Sequence, residues 1–290
     1  MENIDKPIFH NEKKARAYLE SVRWPDGAYC PHCGEAESQN IAKLEGKSHR
    51  EGLYQCKSCR KQFTVTVGTL FERSKVPLNK WMMVTFLLSS SKKGISTHQI
   101  HRMVGVTYKT AWFMTHRIRE AMREPVSPDT MGGEGSTVEI DETYWGNNGQ
   151  QFKGGAGHKE KILTLVERHG RARSFHVPSA KAKTLRPILR EQLHPETSVM
   201  TDQAAYYNRL HKDFASHETV NHSIGEYVRG NVYTNTVEGY FSILKRGLTG
   251  TYQHVSAKHL KRYLGEFDFR YNYRAKLGYN DTDRAIEALK

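Results

Sequence analysis

The sequence predicts an α/β protein in which a small metal-held β module and a helical segment precede a mixed sheet-and-helix domain. Three observations predict it. Two C-x-x-C pairs lie near the start of the chain, helical periodicity takes over after Pro77, and several β-type runs followed by helices come after a Gly-, Pro- and Ser-rich stretch. A chain of 290 residues suits two or three modules of unequal size.

In order, residues 11–22 read as a helix, with Ala15, Leu19 and Val22 on one apolar stripe beside Lys13, Lys14 and Arg16. From Trp24 to Leu70 the pattern turns to Gly, Cys and short β-prone runs, the clearest over residues 62–67. Helices follow at 78–91, 97–104 and 109–122, with Gly94 and Gly105 at the joints. These boundaries place a helix and metal module at 1–75, a helical region at 76–124, a linker at 125–136 and the large domain at 137–290. Within the last, β-type runs cover 137–144, 161–168 and 171–177, the latter two joined at His169-Gly170. A helix at 182–193, a short strand at 198–201 and a helix at 203–212 come next. Two longer helices, 236–248 and 256–273, complete the domain.

Forty-four Lys and Arg against 31 Asp and Glu give a formal charge of +13, so a polyanionic partner is expected. No apolar run approaches the roughly twenty residues that span a bilayer, and charges interrupt the N-terminus where a secretory signal would be apolar. The expectation is a cytoplasmic, nucleoid-associated protein without a membrane partner, whose cysteines serve as thiolate ligands and form no disulfides.

Those cysteines are Cys30, Cys33, Cys56 and Cys59. Each C-x-x-C knuckle sets two thiolates on one side of a tight turn, and two facing knuckles complete a tetrahedron around one Zn²⁺. Four thiolates leave no open position for a substrate, so the zinc is structural and supplies folding energy to a module with little core.

Between residues 95 and 112, Ile95, Ile100, Val104, Val106 and Ala111 fit two crossed helices joined at Gly105, the pattern of a helix-turn-helix. With Thr107 as cap, Tyr108, Lys109, Thr110 and Arg117 fall on or near the surface that would enter a major groove, and His116 and Arg119 are placed with them.

Three carboxylates mark the large domain. Asp141 sits on an alternating strand, Asp202 ends a short one, and Glu238 lies on a helix with Lys245 two turns further along the same face. Glu142, the strand neighbour of Asp141, should point to the opposite side. Glu139 shares Asp141's face and is a weaker substitute ligand.

These positions resemble the DDE signature of transposases with an RNase H-like fold. The runs YTNTVEGYFSILKRG from Tyr233 to Gly247, GTYQHVS from Gly250 to Ser256 and KHLKRYL from Lys258 to Leu264 resemble more narrowly the ISXO-type insertion-sequence transposases, which also carry an N-terminal zinc ribbon. The resemblance implies an RNase H-like catalytic domain that holds two Mg²⁺ or Mn²⁺ ions on Asp141, Asp202 and Glu238. It further implies double-stranded DNA, as transposon ends and target, for a partner, and a homo-oligomer on that DNA. In that group an asparagine is often assigned to the third position, so Asn235 and Glu238 both stand as candidates. A hard dication favours the anionic oxygen. Lys245 would grip a phosphate near the cut.

From Lys245 to Arg274 basic and aromatic residues interleave. Lys245, Arg246, Lys258, Lys261, Arg262 and Arg270 read as a phosphate track, whereas Tyr263, Phe267 and Tyr271 read as a core-facing stripe. Residues 145–160 read as a basic loop near the site. The implied activity is strand cleavage and joining at insertion-sequence ends. The alternatives are a nuclease that does not transpose, and a DNA-binding regulator with an inactive domain.

Overall fold

The structure, a computed structural model, describes residues 4–123, 129–146 and 159–289. It forms two compact units, one of residues Met1–Ala121 with Tyr279–Lys290 and one of Met122–Gly278.

In the first unit, α1 (Glu12–Arg23) starts where the Asn11 side chain accepts from the Lys14 amide at 3.1 Å, and it buries Ala15 and Leu19. Strands β1 (Ile41–Leu44), β2 (Leu53–Cys56) and β3 (Gln62–Phe63) form an antiparallel sheet in that order. Trp24 packs edge-on against Tyr54 and Phe63, the small apolar centre this module possesses. The strand expected over 62–67 stops at Phe63. Beyond it the Val65 and Val67 carbonyls accept from the Arg23 guanidinium, at 2.5 and 2.6 Å, and pair with no strand.

Helix α2 (Leu78–Ser90) is buried nearly all round, Trp81, Met82, Val84 and Leu88 included, because α1, α4 (Tyr108–Ala121) and the C-terminal helix Asp281–Glu287 all pack on it. Helix α3 (Thr97–Val104) is capped by Ser96, which accepts from the Gln99 amide, and ends at Gly105 with φ 63. Thr107 then accepts from the Thr110 amide at 3.2 Å and starts α4, as expected. Asp281–Glu287 was expected in the large domain, since 137–290 reads as one stretch. Its packing on α2 assigns it to the first unit, and Arg284 donates to the Ser89 carbonyl there at 3.0 Å.

The second unit is built on a five-stranded sheet. Strands β4 (Thr137–Trp145), β5 (Glu160–Glu167) and β6 (Ala172–Val177) form an antiparallel meander. Helix α5 (Ala182–Gln192) leads to β7 (Ser198–Asp202), which lies parallel to β4, and β8 (Ser216–Val220) lies parallel to β7, giving the order β6-β5-β4-β7-β8. A two-stranded ribbon, β9 (Val228–Arg229) and β10 (Val232–Tyr233), precedes α6 (Asn235–Gly247), and α7 (Ala257–Asn272) follows it.

This mixed sheet carries α6 and α7 on one face, around Ile162, Val166 and Ala172. The other face, with Val138, Ile140, Leu163 and Leu165, is covered by α5 and the Tyr207–Phe214 segment. That topology is the RNase H-like architecture the resemblance implies. Residues 203–212 were expected to form one helix. They instead make two short turns, because Asn208 is extended and Arg209 is left-handed at φ 70.

The expected linker is only partly free of structure. Met131 pairs with the chain after α5, its amide donating to the Gln192 carbonyl at 2.8 Å, while residues 124–128 lie outside the described residues. So do residues 147–158, most of the expected basic loop. Among the described residues no helix is long and apolar enough to cross a membrane.

Candidate functional site

In the zinc module the four cysteine sulfurs lie within 4.8 Å of one another, with Cys30–Cys59 and Cys33–Cys56 each at 3.7 Å. A Zn–S bond of about 2.3 Å requires a tetrahedron edge of about 3.8 Å, so the four sulfurs already have the spacing of a Zn²⁺ site. The knuckles are held by backbone bonds, Cys30 N–H to the Glu35 carbonyl at 2.7 Å and Cys56 N–H to the Lys61 carbonyl at 3.0 Å. The residue after each second cysteine, Gly34 at φ 79 and Arg60 at φ 62, turns through the left-handed region.

On α4 the candidate DNA-facing residues separate. Tyr108 and Lys109 are exposed and Thr110 is half-buried. Arg117 is committed inward, donating to the Glu72 carbonyl at 3.2 Å and lying over the Phe113 and Trp81 rings. His116 and Arg119 are not at the surface: they are 4% and 0% exposed. They lie along the side of α4 that buries Thr115 and Ile118, which extends the apolar face further round the helix than the sequence pattern indicates.

In the second unit, the parallel register of β4 and β7 ends at the pair Glu139–Met200. Two residues further along each strand are Asp141 and Asp202, which therefore share one face of the sheet, the face covered by α6. Burial first, then the charges of Glu142, Asp202 and Glu238, push the Asp141 carboxyl up to about 7, opposed by one hydrogen bond from the Glu142 amide at 2.8 Å. Asp202 accepts from the Ala204 amide at 3.0 Å. Among the described residues no lysine or arginine lies within 4.0 Å of either carboxylate.

Glu142 faces the opposite side, as expected, opposite Leu163 and accepting from the Tyr207 hydroxyl at 2.7 Å. It is nonetheless electrostatically part of the cluster: burial and the Asp202 charge push it up to about 7. Strand alternation gave Glu142 its face but no sign that the two sides are thin enough here for charges to interact through the strand.

Glu238 lies in the first turn of α6 and Asn235 begins it, both exposed, with Ser242 and Lys245 continuing the same exposed line. Glu238 Oε1 accepts from Thr234 Oγ1 at 3.2 Å and lies 3.5 Å from His222 Nε2. His222 comes from an irregular segment after β8 with no periodicity, so nothing in the sequence pointed to it.

Glu139 departs from expectation. It is wholly buried, and its oxygens accept from Arg168 and from the start of α6, which excludes it as a substitute metal ligand. Along the basic C-terminal stretch, Lys245, Arg246, Lys258 and Lys261 are exposed and Arg262 is half-buried, while Arg270 is buried in an ion pair with Glu266 and cannot join a phosphate track. Tyr263 and Phe267 are core, as expected.

The cluster fits a hard divalent cation. Its donors are carboxylate oxygens, the charges crowd one another, and among the described residues no basic side chain pairs with the aspartates.

Residues 10–62 match a transposase zinc-ribbon domain and residues 132–272 match the ISXO2-like transposase domain. An uncharacterized protein in transposable element ISH50 of Halobacterium salinarum is 30% identical over 280 residues, which cover 90% of this chain and 91% of that protein. An uncharacterized transposase-like protein of Haemophilus influenzae is 31% identical over 114 residues, 39% of this chain and 83% of its own. By these matches, its mixed sheet and its four-cysteine cluster, the chain belongs to the ISXO2-like DDE transposases with an N-terminal zinc ribbon.

Proposed function

We propose that this protein cuts DNA at the ends of an insertion sequence and joins the freed 3′ ends to target DNA, using Asp141, Asp202 and Glu238 to hold two Mg²⁺ or Mn²⁺ ions. The observation that carries this reading is the parallel register of β4 and β7, which sets Asp141 and Asp202 on one face of the sheet, where burial first and then the charges of Glu142, Asp202 and Glu238 raise the Asp141 carboxyl. A pair of dications bound there would activate water or a 3′-hydroxyl and stabilise the leaving oxygen in an in-line displacement at phosphorus.

The protein's own part is placement. Strands β4 and β7 fix the two aspartates on one face, and the first turn of α6 brings Glu238 near enough for its charge to act on Asp141. Lys245, two turns along α6, grips a backbone phosphate beside the cut, and Arg246, Lys258, Lys261 and Arg262 continue the contact along the strand. Glu238 is preferred over Asn235 as third ligand, since its charge is felt at Asp141 and a carboxylate outbids an amide for a hard cation. The zinc ribbon and the helix-turn-helix at α3 and α4, through Tyr108, Lys109 and Thr110, recognise the terminal inverted repeats, and a homo-oligomer brings two ends together.

The test is a cleavage and joining assay with Mg²⁺, a labelled element end and a supercoiled target. Wild type is expected to yield both products, and Asp141→Ala, Asp202→Ala and Glu238→Ala to lose both by a hundredfold or more. Cleavage without joining would identify a nuclease that does not transpose. Activity retained in Asp202→Ala would overturn the assignment of the centre, and loss in Asn235→Ala with retention in Glu238→Ala would move the third ligand by one helical turn.

A further inference from the structure

Glu139 and Arg168 form a largely buried ionic node beside the carboxylate cluster, Glu139 standing two residues before Asp141 on β4. The Glu139 side chain is 0% exposed. Its Oε1 accepts from Arg168 Nε at 2.7 Å and from Thr236 Oγ1 at 2.8 Å, and its Oε2 accepts from the amides of Thr236 at 2.7 Å and Val237 at 3.1 Å. Arg168 Nη1 donates to the Asn231 carbonyl at 2.8 Å and Nη2 to the Tyr233 carbonyl at 2.9 Å, and its guanidinium lies 3.5 Å from the centre of the Tyr233 ring.

Four donors thus converge on two oxygens that can only accept. A carboxylate satisfies all four, whereas an amide would set its own NH2 against a donor. The two amides are those of the first turn of α6, where a carboxylate also meets the positive end of the helix dipole. An isolated buried carboxylate would be costly; this one is paired with a guanidinium and fully hydrogen-bonded.

What the node connects gives it a purpose. Glu139 is two residues before Asp141 on β4, on the same face. Thr236 and Val237 lie between Asn235 and Glu238. Arg168, after β5, holds the ribbon strand β10 that enters α6. Helix α6 reaches the sheet through apolar side chains such as Val237, whose dispersion contacts are not directional, and further along through the Tyr240 hydroxyl, which pairs with Ser174 Oγ on β6 at 3.0 Å. The node supplies the directional bonds at the first turn of α6, where Glu238 sits.

We propose that Glu139, with Arg168, is a positioning residue that sets the separation and rotation of α6 relative to β4, and so fixes the place of Glu238 relative to Asp141 for binding the catalytic metal ions. This rests on the function proposed above. It predicts that loosening the node weakens metal binding while leaving the ligands themselves in place, an effect of outer-shell partners that typically amounts to 10- to 100-fold.

The test uses the full chain with its zinc retained. Mn²⁺ binding is measured directly by electron paramagnetic resonance without DNA, beside the Mg²⁺ concentration for half-maximal cleavage. In Glu139→Gln, Mn²⁺ binding is expected to weaken at least tenfold and the half-maximal Mg²⁺ to rise by a similar factor, with cleavage recovering at high Mg²⁺. A merely structural role would lower the melting temperature without recovery by metal. Thr236→Val, which removes one donor and keeps the helix, should show a two- to fivefold shift in the same direction, and it decides the matter if Glu139→Gln does not fold. Unchanged Mn²⁺ binding in a folded Glu139→Gln, or in Thr236→Val and Arg168→Lys together, overturns the inference. Wild-type protein that binds no Mn²⁺ and cuts no DNA would instead overturn the function on which it rests.

Discussion

At Asp141 the fold keeps a carboxylate where its charged form is disfavoured, a state that costs stability. Its carboxyl rises from an ordinary 3.8 to about 7 through burial and the charges of Glu142, Asp202 and Glu238. A carboxyl raised on folding contributes stability that is fully present below its unfolded value and is lost as pH rises through the folded one. At about 1.4 kcal/mol for each tenfold change in proton affinity, that rise sets a ceiling near 4 kcal/mol for the loss. Asp141→Asn should therefore melt several degrees above wild type at pH 8 without Mg²⁺, with the gap closing as pH falls from about 7 toward about 4. Added Mg²⁺ should reverse the order, since only wild type gains from binding it. Thermal melts across that range check both, and a gap independent of pH would contradict the electrostatic account. The strand positions of Asp141 and Asp202 were legible in the sequence because strand alternation and a strand end both mark a position. Glu139 was misread for the same reason: alternation assigns a face and cannot tell a side chain aimed at solvent from one buried under a helix.

The elements were legible wherever one face is apolar and the ends are capped. Helix α3 has the expected bounds, with Ser96 and Gly105 at its ends, and β4 to β7 fall within a residue or two of expectation. Strand β8 and the β9–β10 ribbon were not, being short and partly exposed, so that they carry too few residues to show a period of two. On α4 the sequence grouped Lys109 with Arg117, and the structure gives them different work. Lys109 is exposed, so Lys109→Ala should weaken binding to DNA ends, lower the salt dependence by about one phosphate contact and leave melting unchanged. Arg117 ties α4 to the Glu72 carbonyl and lies over Trp81, so Arg117→Ala should lower the melting temperature by several degrees. Fluorescence anisotropy at several salt concentrations, with parallel melts, separates the two. A Lys109→Ala variant that melts early but binds normally would remove α4 from the DNA interface.

Across the whole molecule, the second unit is one continuous stretch, whereas the first draws on distant parts of the chain. The first closes only when the C-terminal helix Asp281–Glu287 returns to α2, capped by Asn280 and held by Arg284 on the Ser89 carbonyl. Sequence order hides this, because nothing in a short terminal helix states which of two apolar surfaces it will cover. Helix α2 explains the need: it is apolar nearly all round, and α1 and α4 leave one side for a third partner. A chain ending at residue 278 should expose that side, buried Ser89 and Leu88 included. The sheet of the second unit loses none of its own contacts, so the damage should be confined. Hydrogen exchange is expected to show α2 amides exchanging at least tenfold faster in the truncated chain, while β4, β5 and β7 keep their protection. Zinc content should stay near one per chain, because the cysteine knuckles are closed by local backbone bonds that do not involve the terminal helix. Equal loss of protection in both units would mean that they unfold as one, and unchanged α2 exchange would mean that the terminal helix contributes no closure at all.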